Sequence, residues 1–208
     1  MKGLFIVFEG ITAAGKKSQI DLLLQKLKSA GRDVVKISFP NYETDIARMT
    51  RRDMDAYTQA LLFAADRQFY QQRINQLLES GAIILCDRYC YSNFAYQSVK
   101  GLPLDWLVQL EKNIVKPELV FFVDVPIDVS IFRLQQSNIE DFTKREIMER
   151  LQRERENLIK IRDLYLYLSK AEIDKQTEWV VLNGEMGEQI LHGQVWQAVS
   201  RKLGISVA

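Results

Sequence analysis

Imidazole and thiol chemistry are scarcely represented in this chain of 208 residues, which holds one His and two Cys. His192 falls in a predicted C-terminal helix among Leu191, Val195 and Trp196, a structural position, so catalysis by imidazole is not expected. Cys86 and Cys90, with a charged pair between them, match neither a zinc knuckle nor a disulfide framework and read as reduced packing residues. An excess of one charge is also missing. The 28 Lys and Arg stand against 27 Asp and Glu, a formal net charge of +1, which argues against a nucleic-acid scaffold held by bulk electrostatics. No apolar run reaches the length of a membrane span, and the first strand starts so near the amino end that no secretory leader is expected. A globular, cytoplasmic enzyme is the class that remains.

What is present is a regular alternation of short apolar runs and helical stretches, with no repeat, linker or low-complexity segment. With 47% hydrophobic residues the chain can bury one good core, and residues 1–208 are expected to form one domain with a mobile insertion. Strands are predicted at Leu4 to Phe8, Val34 to Ser38, Ala82 to Cys86, Leu119 to Asp124 and Trp179 to Leu182, each suited to burial on both faces. Helices are predicted at Lys17 to Ala30, Asp55 to Ser80, Leu104 to Asn113, Val129 to Gln135, Lys144 to Lys170 and Glu188 to Leu203. This is the pattern of an α/β fold with a parallel five-stranded sheet, in which ligands collect beyond the carboxyl ends of the strands.

The first of those ends runs Gly10, Ile11, Thr12, Ala13, Ala14, Gly15, Lys16, Lys17, Ser18 into a helix with Ile20, Leu23, Leu24 and Leu27 on one face. Two glycines allow successive N–H groups to turn toward an anion, Lys16 adds a full charge, and the helix start adds free N–H groups. The pattern predicts binding of a nucleoside triphosphate, although Lys17 occupies the place of the hydroxyl that ligates magnesium and Ser18 comes one residue late. The plain alternative is a strand-to-helix turn with a solvated lysine pair. Two further strands end in acids. Asp87 is placed to hold magnesium and Arg88 to fork onto a phosphoryl group, the alternative being an exposed pair capping the next helix. Asp124 reads as a feature of the following helix N-terminus.

Taken together, Phe5 to Ile11 with Ala14-Gly15-Lys16, Phe39-Pro40, Leu61 to Arg67, Asp87-Arg88-Tyr89 with Ser92 and Ala95-Tyr96-Gln97, and Asp124-Val125-Pro126 resemble the thymidylate kinases. These kinases move the terminal phosphoryl group of ATP onto dTMP. The resemblance covers nearly the whole chain. It implies a three-layer α/β/α P-loop core, ATP and Mg2+ as cofactors, a homodimer built from helices, and a lid near residues 135–160. The helices at Asp55 to Ser80 and Leu104 to Asn113 have enough apolar surface for such an interface, the alternative being that this surface is core. It implies that Phe63 stacks on thymine, Arg67 hydrogen-bonds the base, Arg88 grips the dTMP phosphate and Asp87 organises magnesium. Tyr96 would lie under the sugar, with Ser92, Gln97 and Phe39 completing the acceptor site and Arg133 lying against adenine. Each of these positions also suits an ordinary core or surface role.

Three departures from the family pattern stand out. Thr12 replaces an acid that contacts the sugar, Lys17 replaces Ser or Thr, and Asn41-Tyr42 follow Phe39-Pro40 where relatives carry an Arg, leaving Arg48 as the nearest substitute. Because position 13 is Ala, the lid is expected to bring the arginine that neutralises the transferring group, from among Arg145, Arg150, Arg153 and Arg155, with Arg145 and Arg150 assigned to catalysis. Their spacing to Glu146, Glu149, Glu154 and Glu156 equally suits a solvated helix face. The competing functions are a nucleotide-binding relative without turnover and a kinase of the same core acting on another deoxynucleotide or nucleoside.

Overall fold

A computed structural model describes residues 3–50, 53–137, 140–171 and 173–205. Continuous apolar runs become the strands: β1 (Leu4–Glu9), β2 (Val34–Ser38), β3 (Ile83–Asp87), β4 (Leu119–Asp124) and β5 (Glu178–Asn183). All pair in parallel in the order β2-β3-β1-β4-β5. Parallel strands need a crossover between neighbours, so helices must cover both faces and the inner strands lose contact with water. In β1 every residue is buried. The sheet edge β5 is half-exposed and carries Glu178, which pairs with Arg201 and Lys202.

The helices are α1 (Lys16–Ser29), α2 (Asp45–Met49), α3 (Ala56–Phe69), α4 (Gln71–Glu79), α5 (Cys90–Val99), α6 (Leu104–Leu110), α7 (Ile127–Gln135), α8 (Asp141–Arg153), α9 (Arg155–Leu168) and α10 (Glu188–Leu203). Two stretches expected as single helices are each broken once. The first breaks at Tyr70, whose ring meets Phe39 edge-on at 5.9 Å while the neighbouring Gln71 donates to Tyr89 Oη at 3.0 Å. The second breaks at Glu154 (φ −97°, ψ 13°), where α8 hands over to α9. Helix α5, absent from the predicted helices, buries Cys90, Tyr91, Asn93, Phe94, Ala95 and Gln97, so it shows no single apolar stripe to detect.

Aromatic rings seal both layers: Phe8 stacks on Phe121 and Phe122 on Tyr165, each pair with centroids 5.0 Å apart. His192 and both cysteines are buried, and both thiols are free. Asp124 corrects its expected role. Helix α7 starts behind Pro126 with no side-chain cap, and Asp124 instead takes a two-pronged ion pair from Arg162 of α9 at 2.5 and 2.9 Å. No helix among the described residues is long and apolar enough to cross a membrane.

The turn after β5 packs against the end of β4 without space for a side chain. A Cβ at Gly184 would press into Val125 Cγ1 and lie 2.9 Å from Asp124 O. Gly184→Ala is therefore expected to destabilise the fold by about 1–3 kcal/mol, the usual cost of overpacking. Thermal unfolding checks the effect.

Candidate active site

The turn between β1 and α1 is shaped as an anion cradle. Gly10 has φ 145°, where a Cβ would meet Val123 O at 2.7 Å, and Gly15 has φ 108°. Ala13 holds φ 56°, an uncommon conformation for a side-chained residue and one that persists when surroundings impose it. Those surroundings come from α7: Ser130 Oγ donates to Thr12 O, and Arg133 Nη1 donates to Ala14 O at 2.8 Å while its Nη2 donates to Gly184 O. Helix α1 starts at Gly15 with no side-chain cap and no acid in its first turn, so its leading N–H groups stay available to an anion. Lys16 is buried with Nζ on Gly10 O and Ile11 O, both at 3.0 Å. Lys17 and Ser18 are exposed.

Beside the cradle, Glu9 is fully buried at the end of β1. Its carboxylate accepts from Tyr89 N at 2.8 Å, Ser92 N at 3.2 Å, Ser92 Oγ at 2.6 Å and Tyr165 Oη at 2.9 Å. Burial pushes its acidity down, raising the pKa, while Arg88 and these donors oppose the rise. Arg88 follows β3 in a left-handed conformation (φ 66°), donates to Ser92 Oγ at 3.1 Å and lies 5.4 Å over the Tyr96 ring. Burial disfavours its charge, but the surrounding Tyr96, Tyr165, Glu9 and Asp87 raise its pKa further, so it stays cationic. Asp87 Oδ1 is buried without a hydrogen-bond partner among the described residues.

A cavity of about 590 Å³ opens next to Arg88. Phe39 and Phe63 line its apolar part, and Arg67, Asn93, Tyr96 and Gln97 supply polar groups. Asn157 and Ile161 close it from α9, Glu154 from the break, and Arg150 from one face of α8. Arg145 is exposed and does not line the cavity. Five residues on a helix turn about 140° beyond a full revolution, so Arg145 and Arg150 cannot share that face. Arg153 is exposed as well, and Arg155 pairs with Asp128 of α7 at 2.6 and 2.8 Å.

Four expected contacts are altered. Arg48 does not line the cavity: its guanidinium donates to Asp45 Oδ1 of its own helix α2 and to Tyr42 O and Glu43 O in the loop before it. Ser92 is committed to the Glu9 network. Arg67 reaches the cavity, but its Nε and Nη2 are held by Glu111, and both partners are buried. Gln97 donates to Gln59 Oε1 at 3.1 Å and keeps an unpartnered buried Oε1.

The sequence model of the family described as Thymidylate kinase matches residues 8–185. The chain belongs to the thymidylate kinase family. It is 31% identical over 217 aligned positions to the probable thymidylate kinase of Thermococcus kodakarensis, covering 97% of this chain and 99% of that protein. Identity to the probable thymidylate kinase of Thermococcus onnurineus is 36% (78% and 85% coverage). To the thymidylate kinase of Plasmodium falciparum it is 38% (60% and 63% coverage). Against the thymidylate kinase background, four residues went unassigned from sequence. Glu9 is a third acid at a strand end, a signal of the same kind as Asp87. Asn93 stood inside the string around Ser92. Tyr165 and Glu111 carry no local signal, since their partners lie far away along the chain.

Burial, reinforced by Arg88, lowers the Lys16 pKa to about 7, while Asp87 and Glu9 pull it upward. Its folded value lies below its unfolded one, so between about pH 7 and 10.5 the unfolded chain holds more protons and this group's contribution to stability grows with pH. A triphosphate beside the ammonium would restore the charged form. ATP binding is therefore expected to take up close to one proton at pH 8 and to weaken as pH rises from 7 to 9. Calorimetry in buffers of different ionisation enthalpy measures the uptake.

Proposed function

We propose that this chain transfers the terminal phosphoryl group of ATP to dTMP, with Lys16 and Arg88 as its central cations. The observation that supports this most directly is the placement of Arg88, which lines the acceptor cavity and acts electrostatically on Lys16 of the cradle. In this reading the loop from Gly10 to Ser18 holds the triphosphate, and Arg133 lies against the adenine. Phe63 stacks on thymine, and Asn93 Oδ1, buried and unpartnered, accepts the base N–H. Tyr96 lies under the sugar, where a 2′-hydroxyl would collide with it.

The attacking group is a phosphate oxygen that is already anionic, so no residue must remove a proton. Rate comes from alignment and from cations that meet the spreading charge. Lys16 sits where the transferring group starts, Arg88 where it arrives, and Arg150 reaches the cavity from α8 as the lid arginine. Residues 135–160 serve as the lid, which excludes water from the transfer. Magnesium fits the site through Asp87, whose unpartnered buried Oδ1 suits one carboxylate ligand beside phosphate oxygens, although no three acids, cysteines or histidines cluster among the described residues. When bound, the ion would neutralise phosphate charge. A cytoplasmic location suits both substrates.

The homodimer is assigned to α3 and α6. Tyr57, Leu61 and Phe69 of α3 are 51%, 49% and 68% exposed, and Tyr57 meets Trp106 of α6 edge-on at 5.2 Å. Sedimentation should give a dimer for the native chain and a monomer for Leu61→Glu.

Lys16→Ala should lower ATP-dependent dTDP formation by about 10²–10³-fold or more, the scale of losing one preorganised donor, with an unchanged circular dichroism spectrum. An undiminished rate would remove the loop from the chemistry. Independently, dTMP should raise the melting temperature more than dCMP or dGMP at equal concentration, as linkage requires of a ligand bound by the folded form.

A further inference from the structure

Glu111, the residue that closes α6, is fully buried, and its side chain does not line the cavity. Its carboxylate nevertheless touches two residues that do. Oε1 and Oε2 take Arg67 Nε at 3.1 and 3.2 Å, Oε1 takes Arg67 Nη2 as well, and the same Oε1 accepts from Asn93 Nδ2 at 3.1 Å. The second Asn93 N–H goes to Ala60 O at 3.2 Å. Both amide hydrogens are thus directed at acceptors. Reversing the amide would set its oxygen against a carboxylate and a carbonyl, two acceptors facing a third. The only arrangement without that clash leaves Oδ1 as the group with no partner.

We propose that Glu111 is a positioning residue for base selection: it holds Asn93 with its acceptor outward and Arg67 with its Nη1 edge toward the cavity, and so favours a base carrying N3–H over cytosine. The inference rests on the dTMP reading above. Thymine offers a donor at N3 and an acceptor at O4, which match Asn93 Oδ1 and an arginine N–H. Cytosine offers an acceptor at N3 and a donor at N4, which meet acceptor with acceptor and donor with donor. Selectivity of this kind comes from leaving buried polar groups unpaired in the wrong complex. No other carboxylate is seen to contact either side chain among the described residues, so Glu111 is the one acid that holds both, with Ala60 O as the second acceptor on Asn93.

Glu111→Gln keeps the size of the side chain and replaces one acceptor oxygen by an amino group. A single amide oxygen cannot serve Arg67 and Asn93 as the two carboxylate oxygens do, so Arg67 loses its ion pair, Asn93 is held firmly only by Ala60 O, and both side chains are less fixed toward the base. The ratio of kcat/KM for dTMP to that for dCMP should fall at least tenfold, with KM for dTMP rising and KM for ATP within twofold of native. Glu111→Asp, which keeps the charge and shortens the reach, should retain more of the ratio than Gln. It also carries the test if the Gln variant does not fold. If the variant that folds loses melting temperature but keeps the native ratio within twofold, Glu111 is only a structural ion-pair partner and the inference is overturned. If the native protein itself shows no melting shift with dTMP, the functional reading fails first, and the two failures are told apart by that control.

Discussion

The buried carboxylate of Glu9 is the contact on which the site's geometry rests. It lies at the end of the central strand and accepts hydrogen bonds from Tyr89 and Ser92 in the turn after β3 and from Tyr165 in α9. A charge at full burial persists only when several donors surround it, so the four donors and the acid hold one another in place. Through Ser92 the network reaches Arg88, and through Tyr165 it fixes α9. The cradle, Arg88 and α9 therefore share one anchor.

Arg88 holds a backbone conformation uncommon for a side-chained residue, as does Ala13 in the loop. Such conformations cost of order 1–3 kcal/mol each and are retained where the surroundings dictate them. Here the surroundings are explicit. Arg88 N donates to Phe8 O at 2.9 Å, Tyr89 N is taken by Glu9, and α7 clamps the loop on either side of Ala13. The sheet and α7 thus hold two short segments in uncommon shapes at the same rim.

The inner strands β1, β3 and β4 were legible in the sequence because burial on both faces writes an uninterrupted apolar run, and the half-exposed edges β2 and β5 because short apolar stretches persist in them. The bends at Tyr70 and Glu154 were not, since apolar spacing continues through both and only tertiary packing decides where the helix yields. The loop, Asp87 and Arg88 were legible because their chemistry is local. Arg48 and Arg67 illustrate the opposite case. A guanidinium is visible in sequence, but whether it is already spent on its own loop or on an acid 44 residues away is visible only after folding. Tyr165 meets Glu9 across 156 positions, beyond the reach of any periodicity argument.

A parallel sheet delivers the ends of its strands to one rim, and here that rim carries Glu9, Asp87 and Asp124 among Lys16, Arg88 and Arg162. A negatively charged ligand thus meets a rim of mixed sign, where Asp87 and Glu9 pull the Lys16 pKa upward and at the same time repel an incoming anion. A rim of cations alone would retain a triphosphate and its diphosphate product with equal tenacity. Interleaved carboxylates would cap how firmly either is kept, which favours release as well as capture.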